Sequence, residues 1–508
     1  MTAPRSSDPR CRAALAALAL AYVIVMTLAQ FHKLDSFEMG FDLALQEQVF
    51  WNTIHGRWLA TSTLATTEID LGRDVIVLDL LLALPYKLLP DTRTLLVLQT
   101  LAIAAGVVPL YALAKRHLSP LAGLAFGAAY LAYKPLHFLN LYEFQLRAFA
   151  LAPILGMFYY LDGGRLRGFL VCAALALCTR SDVALVVAMF GVYALIRRRP
   201  KAFAASALLL GTAWFATAVL VVVPRFNGGA QFHYFEWYDN LGHTPAEAVH
   251  TILTDPLTII DTVVSEPKLL LLGSVYGLLA FLPVLRPDVL VIALPTLAMS
   301  LLSDRPMLSS IRKQYPAALY PLAFVGAILA LEMLLKLPVV ERRRRVTEAA
   351  VLALVVALNV GAQWLSPPTT WRFLGQWTRP SFAPAVDKLI EKIPPEAAVA
   401  VSNHIAPALA QRERLFLFPP QSQGFYSDQA LVRADYVLYE TPKAGDEDPW
   451  LPLLEKDPWV LVGVGQYEPR EYRYLYRLYR RRPVKKGRPA GEGAPVAWNL
   501  GSPQPVLY

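Results

Sequence analysis

Apolar runs recur along this chain from residue 13 to residue 365, with short Lys/Arg clusters set between them. About 20 consecutive apolar residues are needed to carry a helix across bilayer hydrocarbon. Backbone can cross lipid only as helices or as a closed barrel. The repetition therefore restricts the chain to a polytopic helical membrane protein before any motif is considered. Composition agrees: 55% of the 508 residues are hydrophobic and 17% charged, where a soluble chain carries about a quarter charged. The formal charge of +9 invites a nucleic-acid reading. The basic residues sit in clusters between the runs, however, where topology accounts for them, so no nucleic-acid partner is expected.

The first run, Ala13 to Phe31, follows Arg5, Arg10 and Arg12. No small-residue cleavage site is evident and further spans follow, so it reads as a retained anchor. Further spans are predicted near 93–114, 119–139, 147–161, 166–180, 182–196, 201–224, 269–285, 287–303, 315–336 and 346–365, about eleven in all. With that count Lys115-Arg116, Arg165/Arg167, Arg197 to Lys201 and Arg342 to Arg345 all fall on one side, which the positive-inside rule makes cytoplasmic. The expected location is the inner membrane, with the amino terminus cytoplasmic and the carboxyl-terminal domain extracytoplasmic. Val75 to Leu89, with Asp79 at its centre, would reverse the later clusters if counted. It reads as a tilted or re-entrant helix, with a twelfth span and one merged short pair as the alternative. Cys11, Cys172 and Cys178 show neither metal spacing nor a disulfide framework.

Residues 1–369 thus form a multi-span membrane domain with outer loops near 32–74 and 225–268. Residues 370–508 form a soluble domain. In that tail AAVAVSN (397–403), RLFLFP (414–419), ADYVLYE (434–440) and WVLVGVG (459–465) look like strands, and HIAPALAQ looks helical. The fold class is an all-α membrane domain followed by a small α/β domain. The tail holds no glycine-rich nucleotide fingerprint, and RRRPVKKGRPAGEGAP near its end reads as a flexible solvated segment.

Directly after the first run comes FEMGFDLALQEQVFWNTIHGRW, Phe37 to Trp58. As a helix, Phe41 to Ile54 places Phe41, Leu45, Val49 and Phe50 on an apolar stripe beside Asp42 and Gln46. Such a helix would lie along the membrane surface. Asp42 there is either a helix cap or a group able to take a proton from a hydroxyl or to hold a metal beside a phosphate. Glu47 on the same helix joins the candidate substrate contacts.

FDLALQEQVFWNTIHGRW resembles the first-loop signature of the membrane family called domain of unknown function 2079. The resemblance continues through LLVLQTLAIAAGVVPLYALAKR, VVPRFNGG, NLGHTPAEAV, FLPVLRPDVLVIALPTLAMSLLS and IPPEAAVAVSNHIAPALAQRERLFLFP. That family in turn resembles the GT-C glycosyltransferases, membrane enzymes that take a sugar from a polyprenyl-phosphate donor. Their acidic residue on the first outer loop is the catalytic base or a metal ligand, followed some fourteen residues later by Gly-x-Trp. Asp42, Gly56 and Trp58 fit that pattern. The resemblance implies Asp42 as the catalytic residue, a polyprenyl-phosphate-linked sugar and membrane lipid as partners, and room for a divalent metal. The chain departs from the pattern in three places. Asp74 to Val77 replaces a His-Phe-Ser-Pro-like run, Phe144-Gln145-Leu146 replaces Phe-His-Pro, and Arg180-Ser181-Asp182 replaces a Lys-Glu-Asp-like cluster.

Other residues carry two readings each. Glu143 and Arg147 suit either an i,i+4 pair or, for Arg147, contact with a donor phosphate. Arg180 and Asp182 are either a mutual pair or functional ionisable groups at depth. His233, Glu236 and Asp239 either approach an acceptor or are solvated. Arg312, Lys313 and Tyr315 face either a phosphate leaving group or lipid headgroups. Three functions compete: a transferase, a transporter or flippase for a lipid-linked solute, and a non-catalytic scaffold. A transporter is disfavoured by sparse intramembrane charge and by the absence of a visible inverted repeat.

Overall fold

The structure, a computed structural model, describes residues 7–64, 67–229, 233–365, 378–419, 430–441, 448, 450–456, 458–467 and 474–482. The flexible segment expected at 480–495 begins within a strand that runs to Arg481, and beyond residue 482 it lies outside the described residues. Two compact units emerge, one of Met1–His32 with Leu71–Trp377, the other of Lys33–Asp70 with Thr378–Tyr508. The first outer loop, assigned above to the membrane domain, thus belongs to the unit of the tail.

The helices used below are α1 (Ser7–Asp35), α2 (Phe41–Ile54), α3 (Leu78–Leu88), α4 (Thr92–Ala105), α5 (Val107–His117), α6 (Pro120–Leu131), α7 (Lys134–Tyr142), α8 (Leu151–Asp162), α9 (Leu166–Leu177), α10 (Val183–Ile196), α11 (Lys201–Thr217), α12 (Pro287–Leu302), α13 (Leu319–Leu335) and α14 (Arg344–Leu365). Among the described residues five stretches are long and apolar enough to cross a membrane: Asp8–Asp35, Thr92–His117, Lys201–Phe226, Tyr315–Leu335 and Arg344–Trp364. A sixth is the pair Pro256–Val263 and Glu266–Leu279, bent by 60°. The remaining expected spans are shorter or broken. The run 119–139 divides into α6 and α7 at Ala132–Tyr133. Pro135 there occupies the first turn of α7, where its missing N–H costs nothing. The run 147–161 opens with a 3₁₀ segment, Leu146–Ala150, ahead of α8. Val75 to Leu89 forms only the 11-residue α3, about 16 Å long against about 30 Å of hydrocarbon. Val75 instead packs with Ala218 and Val223.

Burial separates helices that hydropathy does not. Tyr315–Leu335 is 83% buried, whereas Asp8–Asp35, Lys201–Phe226 and Arg344–Trp364 are buried by 28% or less. A helix apolar all round belongs at the centre of a bundle or against lipid, and this unit uses both solutions. At one end of the bundle Asp162 accepts from Arg116 at 2.9 Å, Arg199 at 3.1 Å and His117 at 3.1 Å. His117 also meets Glu332 at 2.7 Å. The basic clusters after α5 and α10 therefore lie at the same end.

The second unit holds a five-stranded sheet of β1 (Val399–Val401), β2 (Leu415–Leu417), β3 (Tyr436–Glu440), β4 (Trp459–Tyr467) and β5 (Tyr474–Arg481), in the order β2-β1-β3-β5-β4. The β2-β1-β3 portion is parallel, and β5 joins antiparallel to β3 and β4. The segment expected to be helical after β1 is a 3₁₀ turn, Asn403–Leu409, with Pro407 inside it. Strand alternation sends Val399, Val401 and Leu438 to one apolar cluster and Ala398, Ala400 and Val437 to the other. Parallel strands need cover on both faces. Helix Ala383–Ile390 supplies one cover, and the opening loop supplies more, since Phe37 and Ala44 lie in the first of those clusters.

Helix α2 is therefore a largely buried element of this α/β unit. Its polar residues Gln46, Glu47, Gln48 and Asn52 are all buried. Gln48 Nε2 donates to Ser62 Oγ at 2.9 Å and to the carbonyls of Arg412 and Glu413 at 3.3 and 3.1 Å. Gln48 Oε1 accepts from Ser62 N and Thr61 Oγ1, both at 2.9 Å. Ser62 Oγ in turn bonds both the N–H and the C=O of Leu415, the outer edge of β2. Arg412 is buried against the carbonyls of Leu409 and Ala397, and burial pushes its guanidinium down to about 10. Gln48→Leu leaves the Ser62 N–H and the Arg412 carbonyl unmatched, at about 1–3 kcal/mol each. The expected outcome is faster protease cleavage within 33–70, read by mass spectrometry of the fragments, with cleavage at the wild-type rate counting against this account.

Candidate functional site

The short apolar helices leave irregular backbone between them, which membrane proteins tolerate only where it is covered by protein or lines a cavity. Here it lines one. A cavity of about 250 Å³ is bounded by Asp74, Arg147, Arg180, Ser181 and Asp182, by Tyr234, Phe235, Trp237 and Tyr238, and by Thr296, Met299 and Leu302 on α12.

Its polar end is a chain of charges. Arg180 Nη2 lies 2.7 Å from Asp74 Oδ2, and its Nε lies 3.4 Å from Asp182 Oδ1. Arg147 grips the same Asp182 with two nitrogens, Nη2 at 3.1 Å and Nε at 3.2 Å, the two-pronged geometry that favours arginine over lysine. Asp74 Oδ1 is fixed further by the N–H of Val75 at 2.8 Å and by the N–H and hydroxyl of Ser181. Both guanidinium side chains are 5% exposed, Asp74 1% and Asp182 30%. The Nη1 of Arg147 is buried without a hydrogen-bond partner. A buried cationic donor without an acceptor is costly.

Buried amides hold the Arg147 loop in place. Gln99 Nε2 donates to the carbonyls of Asn140 and Glu143 at 3.0 and 2.9 Å, and Gln99 Oε1 receives the N–H of Gln145. Gln30 and Thr100 complete the network through Asn140. The expected i,i+4 pair of Glu143 with Arg147 does not form along a helix. α7 ends at Tyr142, Glu143 is extended, and a 3₁₀ segment begins at Leu146. Glu143 is buried.

The aromatic end comes from His233–Tyr238, a 3₁₀ helix in which residues three apart eclipse. Tyr234 and Trp237 accordingly meet edge to face at 4.6 Å, and the Tyr234 hydroxyl accepts from Arg180 at 3.0 Å. Tyr238 donates to the Met299 carbonyl at 3.2 Å, and Asn240 donates to that of Leu302 at 2.9 Å. Between these aromatics, Glu236 and Asp239 are exposed, and Asp239 lies 3.5 Å from His243. The side chain of His233 lies outside the described residues.

Of the expected site residues, Arg147, Arg180 and Asp182 converge on the cavity. Tyr315 stands behind Arg147, whose guanidinium is 5.2 Å from the ring centre, and meets Trp237 at 5.4 Å. Arg312 and Lys313 are not among the lining residues. Lys313 Nζ donates to Tyr142 at 2.8 Å, and exposed Arg312 lies 5.6 Å from the Phe138 ring, both on α7. Asp42 and Glu47 belong to the other unit. Glu47 is fully buried and accepts from Gln411 at 2.7 Å. Asp42 is half-buried in the first turn of α2. The N-cap position is Gly40, with no side-chain cap bond, so the reading of Asp42 as a helix cap is corrected. Sequence reasoning missed Asp74 and the aromatics of 234–238. Asp74 stood out only as a departure from a family pattern, and the aromatics became visible only with a period of three. Asp74 and Asp182 are both committed to arginines. Among the described residues no group of three His, Cys, Asp or Glu is placed to hold a metal, so these residues do not fit the divalent metal that the resemblance allowed.

The model of the family described as "Predicted membrane protein (DUF2079)" matches residues 33–469. The chain belongs to that family. No curated protein matches it. Among solved structures, the DUF2079 chain is similar to ArnT from Cupriavidus metallidurans bound to undecaprenyl phosphate, with TM-score 0.54, 13% identity, and 91% of this chain and 97% of that one covered. The apo state of ArnT from Cupriavidus metallidurans gives TM-score 0.55 and 14% identity, covering 90% and 97%. At that identity the likeness establishes fold alone. This DUF2079 protein thus shares a fold with ArnT, and among its described residues it holds a helical membrane domain and a small carboxyl-terminal sheet.

Proposed function

We propose that this protein is an integral membrane transferase that moves a sugar from a polyprenyl phosphate to an extracytoplasmic acceptor. The observation that carries the reading is the pair of guanidinium side chains, Arg147 and Arg180, that line one wall of the cavity. A phosphate oxygen is the acceptor such donors call for. The GT-C-like fold and the undecaprenyl phosphate bound to ArnT support the same class of ligand.

In this mechanism the bond between the sugar's anomeric carbon and the phosphate oxygen breaks. The guanidiniums of Arg147 and Arg180 stabilise the negative charge left on the phosphate. The acceptor hydroxyl attacks from the opposite face and gives up its proton to a base, the role for which the family resemblance proposes Asp42. Tyr234, Trp237 and Tyr238 offer ring faces to the sugar, and the apolar α12 wall receives the first isoprene units. We place the arginine-cluster end in the cytoplasm and the tail outside, following the positive-inside rule.

Undecaprenyl phosphate titrated into the full-length protein in nanodiscs tests the anion pole. A charge-assisted hydrogen bond contributes about 1.5–3 kcal/mol, so Arg147→Gln is expected to weaken binding about 10–150-fold. Unchanged affinity in that variant would remove the cavity from the proposal.

A further inference from the structure

The structure holds a second cavity, of about 940 Å³, at the other end of the charge pattern. It is a crevice between α1 and the continuous α4–α5 stretch. Leu15, Ala19 and Val23 line one side, Leu101, Ala105 and Val108 the other, and Arg12, Lys115 and Arg116 lie at one end with Tyr159. The alanines leave unfilled the space that larger side chains would occupy, and the gap is apolar along its length and cationic at its mouth.

The charges at that mouth are only partly answered. Asp8 serves Arg12 at 2.9 Å and Lys115 at 2.8 Å together. Asp162 serves Arg116 and is shared with Arg199. Three lining cations thus share two carboxylates, one of which is divided again. The crevice length is also informative. Arg12 to Val23 advances about 16 Å along α1 at 1.5 Å per residue, close to half of the roughly 30 Å of hydrocarbon. A crevice one leaflet deep, apolar inside and basic at the headgroup level, has the shape and charge of a phospholipid site rather than of a solute site.

We infer that this crevice binds one anionic glycerophospholipid, with an acyl chain between α1 and α4–α5 and its phosphodiester against Arg12, Lys115 and Arg116. The site is separate from the cavity at Arg147, shares no lining residue with it, and stands whether or not the protein transfers a sugar.

The test is native mass spectrometry of the full-length protein released from micelles doped with equal phosphatidylglycerol and phosphatidylcholine. Wild type is expected to retain phosphatidylglycerol preferentially. A basic residue near an anionic surface contributes about fivefold, so Arg12→Gln with Lys115→Gln should cut that preference by about 25-fold. Ala16→Phe with Ala105→Phe fills the crevice and leaves every charge in place, and it should abolish retention as well. Thermal melting of each variant shows whether it is folded. Equal retention of the two lipids by wild type, or full phosphatidylglycerol preference in the folded, crevice-filled variant, overturns the inference.

Discussion

Asp42→Asn is expected to lower sugar transfer by about 10²–10⁴-fold, the range that a general base contributes. Asparagine is close to aspartate in shape but cannot accept the proton of an acceptor hydroxyl. The same change removes a negative charge from the first turn of α2, where it interacts favourably with the helix dipole by about 0.3–1 kcal/mol. Folding is read independently of transfer, so a structural loss and a catalytic one are told apart. Transfer is followed in membranes with radiolabelled polyprenyl-phosphate sugars, and folding by the protease resistance of residues 33–70. Wild-type transfer by the Asn protein would leave Asp42 as a charge that merely stabilises a helix. Loss of transfer together with loss of protease resistance would point to folding.

The second large effect is on stability. Asp74→Ala strands the buried Arg180 guanidinium, and removing one partner of a buried pair costs about 3–5 kcal/mol. Arg180 keeps a weaker contact with Asp182 at 3.4 Å, so the lower end of that range is expected. Asp74→Leu combined with Arg180→Met removes both charges. Replacing a buried pair with apolar residues is often neutral or stabilising, so the double variant should regain most of the melting temperature. It should not regain ligand binding, because a guanidinium of the anion pole is gone. A double variant as unstable as Asp74→Ala would mean that the pair holds the fold through contacts beyond its own charge, since coupled neighbours depart from additivity in that way.

What the sequence revealed follows the range of the interactions. Apolar runs and alternating strands are local patterns, and β1 to β4 lie where VAV, LFL, YVLYE and WVLVGVG predict them. Strand β5 escaped because its arginines at 477, 480 and 481 made a central strand look like a solvated basic tail. Tyr476 and Leu478 nonetheless share the cluster of Val399. The opening loop escaped for a different reason. Phe41 to Ile54 looks amphipathic by itself, and nothing within it says that Gln48 will bond residues 412 and 413. In the site, Arg147, Arg180 and Asp182 were legible as ionisable groups beside apolar runs, where charge is expensive. Asp74 was not, because its partner Arg180 lies more than 100 residues away. Lys313 and Arg312 were expected at the phosphate but spend their charge on Tyr142 and Phe138, a choice set by packing.

The bond between Ser62 and the backbone of Leu415 joins residues 353 positions apart. At a synthesis rate of about 5–20 residues per second, the ribosome needs roughly 18–70 s to deliver the second partner after the first. For that interval the segment bearing Asp42 is already made while its sheet does not yet exist. Its buried amides and Glu47 have only water or a chaperone to satisfy them. Maturation is therefore gated by the carboxyl terminus. A nascent chain released after residue 377 and before residue 415 carries the whole membrane unit, yet its opening loop has no edge strand to receive it. Any late frameshift or tail truncation would thus act at a distance on the amino-terminal loop.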